Sequence, residues 1–143
     1  MNIVNQIIQA CKNNGLSLNQ TAVILGNAFQ ESRFKTSAKN NISGGHHGVW
    51  QFSTGQYNKF GLNNWNTQLR YLMEEVAKTP EYQLKDKQGK IKRWISPHIG
   101  GNGWRGRHKA VWDTSNDIEK LAWAFGEGWE RYGHPEADTD SRT

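Results

Sequence analysis

The sequence predicts a mainly α domain of the α+β type, in which a helical lobe carries a small β-hairpin lip. Apolar residues recur at helical spacing in four segments, whereas apolar and polar residues alternate in one short segment. The 143 residues are enough for about one domain, so we expect a single domain over 1–143. A mean hydropathy of −0.86, with no long apolar stretch, argues against membrane insertion.

Residue composition argues against disulfide bonds, metal sites and cofactors. Cys11 is the single cysteine, so neither an internal disulfide nor a cysteine-based zinc site is expected. The histidines do not form a His-Glu-x-x-His pattern, and adjacent histidines in a glycine-rich loop are typical of hydrogen-bonding or substrate-facing roles. We therefore predict no metal and no organic cofactor.

The N-terminal segment predicts a first helix over about residues 2–14. Its apolar positions have helical spacing, and Asn14-Gly15 is a helix-ending signal. The segment lacks a basic leader and a small-residue cleavage site, so it does not resemble a signal peptide.

A second helix opens at Ser17 and Gln20, which form a capping-box pattern. One apolar stripe is predicted along it, with a second apolar row beside it: Leu18, Ala22, Leu25 and Phe29 form the stripe, and Ile24 and Ala28 form the row. Glu31 is the only carboxylate between Met1 and Met73, and it extends the row. An apolar setting would raise the pKa of this carboxyl and suit it to general acid catalysis, although a solvated glutamate at a helix end is the alternative.

The rest of the chain predicts a lip, two more helices and an irregular basic segment. Residues 36–48 are loop-forming, and the segment from Gly48 to Ser53 alternates like a short strand. A third helix begins near Trp65 and ends before Pro80. Residues 80–109 are predicted to be an irregular, partly exposed excursion. A last helix begins near Ser115 or Asn116 and extends toward Trp129, and the tail after about residue 136 is expected to fray.

Four segments, in order, resemble the phage tail-type lysozyme family and, more distantly, lytic transglycosylases and goose-type lysozymes. They are Leu25–Phe34, Gly45–Phe52, Trp65–Leu72, and Phe125 with Trp129–Pro135 before Arg142. The resemblance implies a lysozyme-like fold and cleavage of the bond between N-acetylmuramic acid and N-acetylglucosamine in peptidoglycan, with Glu31 as the acid. The excursion at 80–109 lies outside the resembling segments.

The identity of a second catalytic group stays open at the level of sequence. No acidic residue lies between Ser32 and Met73, so the lip supplies no nucleophilic carboxylate. A distant base such as Glu130 or Glu127, a water held by neutral groups such as Gln51 and Ser53, or attack by the substrate's own 6-hydroxyl could complete the reaction. The last is lytic transglycosylase chemistry. Glu130 could instead pair with a basic group, and Glu74 and Glu75 are interpreted as solvated surface charges.

Candidate substrate-binding residues lie in the lip and near both ends of the resemblance: Ser32, Gly48, Trp50, Gln51, Ser53 and Tyr132. Sugars present C–H faces to aromatic rings and polar groups to amides. Trp50 could instead belong to the core, and a local hydrogen bond is the simpler role for Ser32. Trp94, Trp104 and Trp112 could stack on sugars or bases.

The charge distribution supports an anionic partner. The net charge is +5, and residues 85–109 carry eight basic side chains against one acidic one, interleaved with tryptophans. This positive charge suits association with the bacterial wall. Two alternative functions are a platform for single-stranded nucleic acid and a wall-binding module without catalytic activity. The resemblance implies a phage enzyme that acts on the wall as a released lysis enzyme (endolysin) or as a virion component. Because the N-terminal segment does not resemble a signal peptide, we expect the chain to be made in the host cytoplasm, and we expect the isolated domain to be a monomer.

Overall fold

The structure, a computed structural model, describes residues 2–40, 45–77, 83–85, 87–94, 104 and 106–129. The chain divides into two compact units, Met1–Ala77 and Lys78–Thr143, which are called the N-terminal and C-terminal units below. The helices and strands confirm a mainly α fold, while the prediction of one domain over 1–143 stays a prediction. No helix in these residues is long and apolar enough to cross a membrane.

The first two helices of the N-terminal unit follow the sequence closely. Helix α1 covers Ile3–Asn13, and α2 covers Leu18–Ser32. The predicted capping box at Ser17 and Gln20 is confirmed, with both reciprocal hydrogen bonds present. Cys11 of α1 is fully buried, and this burial raises the pKa of its thiol to about 11, against a smaller opposing effect of a hydrogen bond with Thr21.

The predicted apolar stripe of α2 is wrong in its orientation. Leu18 is 88% exposed and Phe29 is 50% exposed, whereas Ile24 and Ala28 are fully buried. The neighbouring row, and not the stripe, therefore packs into the unit. The reason is tertiary, since the indole N–H of Trp50 in the lip donates to the backbone oxygen of Ile24.

The lip is a three-stranded antiparallel sheet of very short strands. Strand β1 covers Lys39–Asn40, β2 covers His46–His47 and β3 covers Phe52–Ser53, with β2 in the middle. The predicted hairpin is present, but the continuous strand from Gly48 to Ser53 is wrong, because a turn occupies residues 48–51. Gly48 at φ 85° and Gln51 at φ 57° reverse the chain there.

Two helices complete the N-terminal unit. The short helix α3, Thr54–Lys59, was not predicted, and Ser53 caps it through a second capping box with Gln56. Helix α4, Trp65–Val76, confirms the third predicted helix.

Glu75 was expected to be a solvated surface charge, which is wrong because its side chain is only 1% exposed. It lies seven residues after the buried Gln68 and four after the buried Tyr71, and therefore on the same face of α4. Burial raises the pKa of Tyr71, and the charges of Glu75 and then of Glu74 add to this, while a hydrogen bond from Gln56 opposes it.

The C-terminal unit has more regular structure than the basic segment predicted. Strands β4, Gln83–Lys85, and β5, Ile91–Trp94, form an antiparallel hairpin, and helix α5, Gly106–Thr114, follows. The prediction of an irregular excursion over 80–109 is therefore wrong for these stretches. Helix α6, Ile118–Gly128, confirms the last predicted helix and is capped by Asp117. The tail after residue 136 lies outside the described residues.

Aromatic rings form the core of the C-terminal unit. Trp112 and Phe125 are fully buried, and their ring centroids lie 5.5 Å apart. Trp104 is 2% exposed and contacts both rings, and Trp129 is 5% exposed and packs on Phe125. The expectation that Trp104 and Trp112 could stack on sugars or bases is therefore wrong, since their faces are occupied. The side chain of Trp94 lies outside the described residues.

Lys109 shows that the basic segment is not wholly a solvated surface. Its side chain is fully buried, its Nζ lies 3.0 Å from a carboxylate oxygen of Asp113 and 5.2 Å from the ring centroid of Trp104. Burial raises the pKa of Asp113, and the Lys109 charge opposes this. Part of the positive charge thus lies inside the unit and not on its surface.

Candidate functional site

Glu31 lies at the last turn of α2, on the face that the helix buries. Ile24 and Ala28, seven and three residues before it, are fully buried, and Glu31 itself is half-buried. This placement agrees with the prediction that Glu31 extends the apolar row. The carboxylate therefore has an apolar side along the helix while part of it still reaches solvent.

Helix α2 ends one residue after Glu31, at Ser32. The C-cap residue Arg33 and the next residue, Phe34, both have left-handed backbone conformations, at φ 53° and 64°. Neither is glycine, and such residues cost on the order of 1–3 kcal/mol each unless surrounding contacts hold them. The Arg33 guanidinium lies 5.3 Å from the Phe29 ring centroid, and the Phe29 and Phe34 rings lie 5.8 Å apart. Strain is thus concentrated beside the candidate acid.

Gln68 of α4 joins the loop that follows α2 to the turn of the lip. Its side chain is fully buried; Oε1 accepts a hydrogen bond from the Val49 backbone N–H at 2.9 Å, and Nε2 donates to the Thr36 backbone oxygen at 3.1 Å. One neutral amide thereby joins two backbone segments, the loop after α2 and the turn within the lip. The sequence pattern does not single out this residue, although it stands within the Trp65–Leu72 segment of the resemblance.

Gln51 and Gly48 form the turn itself. Gln51 is 3% exposed, and its Nε2 donates to the backbone oxygens of Gly48 at 2.9 Å and Ala38 at 3.3 Å. A Cβ on Gly48 would lie 2.6 Å from the Gln68 Oε1, so the amide of Gln68 packs directly against a glycine. These contacts maintain the lip, and substrate binding by Gly48 and Gln51 stays a prediction.

The remaining candidates, in the lip and at the end of α2, make structural contacts. Trp50 is 1% exposed, stacks on Trp65 at 5.8 Å between centroids and donates its indole N–H to Ile24, which is the behaviour of a core residue. Ser32 donates its hydroxyl to the Ala28 backbone oxygen at 3.1 Å, as its alternative interpretation expects. Ser53 caps α3. Their roles toward substrate stay predictions.

His47 is a titratable side chain within the lip. Its Nε2 lies 2.9 Å from the Thr54 Oγ1, and that hydroxyl donates to the Gly45 backbone oxygen at 3.2 Å. The Nε2 and the hydroxyl thus form a hydrogen bond, whose donor is set by the tautomer of His47. Burial, and then the positive charge of Lys39, lower the pKa of His47. The ring also stacks on Tyr57 at 4.5 Å.

Asn27 is a buried polar residue that the sequence pattern does not single out. Its side chain is 9% exposed, and its Oδ1 is buried with no hydrogen-bond partner among the described residues. It precedes Glu31 by four residues, one helical turn earlier on the same side of α2. The sequence signal that was available is the position of this amide beside the apolar row of Ile24 and Ala28, which leads to Glu31.

The second candidate acid and the last aromatic candidate are not placed, since Glu130 and Tyr132 lie outside the described residues. Glu127, on α6, is half-buried. The described part of the chain holds no group of three or more His, Cys, Asp or Glu side chains arranged to bind a metal ion. The prediction that neither metal nor cofactor takes part stays a prediction.

Comparison with known proteins gives one family. The family model described as phage tail lysozyme matches residues 2–143, which is nearly the whole chain. The match also runs through the basic segment at 80–109 that the four resembling segments leave out. No curated protein and no solved structure matches the chain.

Proposed function

Because the chain belongs to the phage tail lysozyme family, we propose that it cleaves the bond between N-acetylmuramic acid and N-acetylglucosamine with Glu31 as the general acid. The family supports a peptidoglycan-lytic enzyme that acts on the bacterial cell wall. The observation that carries the role of Glu31 is its position, half-buried at the end of the buried face of α2 and the only carboxylate of the first 73 residues.

The first step of the proposed reaction is proton donation. Glu31 gives its proton to the glycosidic oxygen as the C–O bond breaks, so the leaving sugar departs as an alcohol and the other sugar develops oxocarbenium character. Along α2, the side of the helix that leads to Glu31 is apolar. Ile24 and Ala28 supply that apolar side of the helix.

The second step differs between hydrolysis and transglycosylation. In hydrolysis a water attacks the anomeric carbon and gives its proton to a base, for which Glu130 is the candidate. In transglycosylation the 6-hydroxyl of the muramic acid attacks that carbon and returns its proton to Glu31, which yields a 1,6-anhydro end. No acidic residue lies between Ser32 and Met73 in the sequence, so this stretch supplies no second carboxylate for hydrolysis. This supports transglycosylation as the second candidate reaction.

We infer a monomer that acts on the wall either as a lysis enzyme or as a virion component that opens the wall at infection. The basic side chains between residues 85 and 109 that reach solvent would favour association with an anionic wall polymer, and this attraction would weaken with added salt.

The decisive experiment is mass spectrometry of fragments released from purified peptidoglycan. We expect Glu31→Gln to lower the initial rate by about 10³-fold, within the range that general acid catalysis contributes. Glu119→Gln is the matched control, because it makes the same change at an exposed carboxylate and should keep the wild-type rate.

The fragment ends then separate the candidate reactions. Reducing N-acetylmuramic acid ends from the wild type indicate a hydrolase, and 1,6-anhydro ends indicate a transglycosylase. Equal rates for the wild type and Glu31→Gln would contradict the role of Glu31. A wild type that binds the wall and releases nothing would favour a binding module.

A further inference from the structure

The oxygen of the Asn27 side chain is a buried acceptor that needs a donor. Asn27 is about nine-tenths buried, and no donor in the described part of the chain hydrogen-bonds its Oδ1. A buried acceptor left without a donor destabilises the folded state, so native proteins rarely keep one without a reason. Because the oxygen is closed off from solvent, its donor is expected to come from within the protein.

Glu31, four residues later on α2, can supply that donor. Residues four apart on a helix have neighbouring side chains, and Asn27 and Glu31 stand in this relation on the buried side of α2. The same chain realises such a bond in α1, where the Gln9 Nε2 donates to the Asn13 Oδ1 at 2.9 Å across the same spacing. An amide oxygen and a carboxyl at these positions can therefore meet.

The protonation state of Glu31 decides whether the bond forms. An ionised carboxylate only accepts hydrogen bonds, whereas a protonated carboxyl has one O–H to donate. The general acid of the proposed reaction must hold its proton until the substrate takes it. We propose that Asn27 is a positioning residue whose Oδ1 accepts the O–H of protonated Glu31 and keeps that side chain in its acid form. This inference rests on the proposed function of Glu31.

The pair would act in both halves of the reaction. A hydrogen bond made only by the neutral carboxyl favours that form before substrate binds, and it fixes the direction of the O–H. After proton donation, the carboxylate lies beside an amide oxygen that offers it no proton. In transglycosylation, regaining the proton from the attacking 6-hydroxyl restores the bond, so the same contact favours the return step.

The other titratable and charged side chains of the N-terminal unit keep their identity in all the variants below. Those described titratable or charged side chains are Cys11, Lys12, Arg33, Lys35, Lys39, His46, His47, Tyr57, Lys59, Arg70, Tyr71, Glu74 and Glu75. Arg33 and Lys35 follow α2 directly, and Cys11 and Lys12 belong to α1, which packs on α2. Any shift on substitution of Asn27 is then assigned to Asn27.

The test is nuclear magnetic resonance of the full-length chain without substrate. The ¹³Cγ shift of Asn27 should follow the titration of Glu31. In Glu31→Gln, whose amide N–H donates at every pH, that shift should be independent of pH and match the acidic limit of the wild type. A wild-type Asn27 shift that ignores the titration of Glu31 would overturn the proposal.

A second measurement uses substitution of Asn27. Asn27→Ala should move the Glu31 titration, read from its side-chain carboxyl ¹³C, to lower pH and lower kcat/KM near pH 7 by about tenfold, with kcat reduced more than KM is changed. Gln30→Ala, an amide truncation at an exposed position of the same helix, should change neither.

Movement of the Glu31 titration to higher pH in Asn27→Ala would overturn the proposal, because it would mean that the amide N–H faces the carboxylate. If Asn27→Ala does not fold, the comparison of the wild type with Glu31→Gln decides alone. The titrations do not depend on cleavage. A wild type that releases no fragments while Asn27 follows Glu31 would refute the glycosidase and leave the hydrogen bond in place.

Discussion

The two units bury polar side chains for different purposes. In the N-terminal unit the buried amides of Gln51 and Gln68 bond to backbone groups of the lip and of the loop after α2. In the C-terminal unit the buried Lys109 pairs with Asp113 and lies over Trp104, while His108 stacks on Trp123 at 4.0 Å. In the N-terminal unit the buried amides bond to backbone groups, whereas in the C-terminal unit the buried basic side chains pack between helices and against aromatic rings.

This difference predicts which substitutions mainly affect activity and which mainly affect stability. Backbone of the lip and of the loop after α2 is held by amides with two partners each, so loss of one amide releases a loop without emptying a core. In the C-terminal unit the aromatic rings are closely packed, so a substitution there changes the volume that the core must hold. Such changes of volume mainly alter stability. Two glycines, one in each unit, test the distinction because each lies against one of these buried polar residues.

The largest effect is expected from Gly128→Ala in α6. A new Cβ there would fall on the Cβ and ring of His108 in α5, and a Cβ cannot rotate away. The two helices of the C-terminal unit would have to separate, at a cost of about 3 kcal/mol in the free energy of unfolding. Urea denaturation followed by tryptophan fluorescence measures this directly.

Gly26→Ala is the control for that change. Gly26 is an exposed helical glycine with open space around it, so alanine should stabilise by about 0.5–1 kcal/mol. If both alanine variants unfold at the same urea concentration, close packing of α5 on α6 is not what stabilises the C-terminal unit.

An intermediate loss of stability, with a large loss of activity, is expected from Gly48→Ala in the lip. The positive φ is unfavourable for alanine, and the new Cβ would push the Gln68 Oε1 away from the Val49 N–H. We expect about 2 kcal/mol of lost stability. The rate of peptidoglycan cleavage should fall at least tenfold below the melting temperature, because small displacements of an active site are costly.

A double-mutant cycle identifies the route of that effect. Because Gly48→Ala acts through Gln68, the double variant with Gln68→Ala should cost less than the sum of the two single changes. Additive costs would show that the glycine and the amide act independently. Gly55→Ala, at a glycine of α3 with nothing within 4 Å, should keep the wild-type rate.

Local patterns were enough to predict the elements that carry Glu31. The capping box at Ser17, the extent of α4 and the position of Glu31 on the buried face of α2 all depend on residues three to seven apart. Helical periodicity contains that information. It does not say which of two adjacent apolar rows is buried, and for α2 the answer depends on Trp50, which is distant in sequence.

The turn of the lip and the core of the C-terminal unit could not be predicted in the same way. Gln51 adopts a positive φ while its side chain bonds to Ala38, thirteen residues earlier, so its conformation reflects tertiary contacts. The glycines and basic residues before Trp112 predict a loop, yet burial of the aromatic rings makes a helix there. The Lys109 and Asp113 spacing of four was the local signal for that helix.

The smallest effect is a pH dependence at His47 in the lip. Burial and Lys39 lower the pKa of this side chain, so the unfolded chain takes up a proton near pH 6.5 while the folded protein does so only at lower pH. Protonation therefore favours the unfolded state as the pH falls. The contribution of His47 to stability is fully present above about pH 6.5 and is lost as the pH falls through the folded pKa.

Comparison of the wild type with His47→Gln isolates this effect from the other histidines. Between pH 7.5 and 5.5 the free energy of unfolding of the wild type should decline more than that of the variant. Lys39→Gln should reduce the decline only in part, because burial is the larger cause of the shift. Parallel curves for the wild type and His47→Gln would mean that the lip leaves His47 as free to take up a proton as the unfolded chain does.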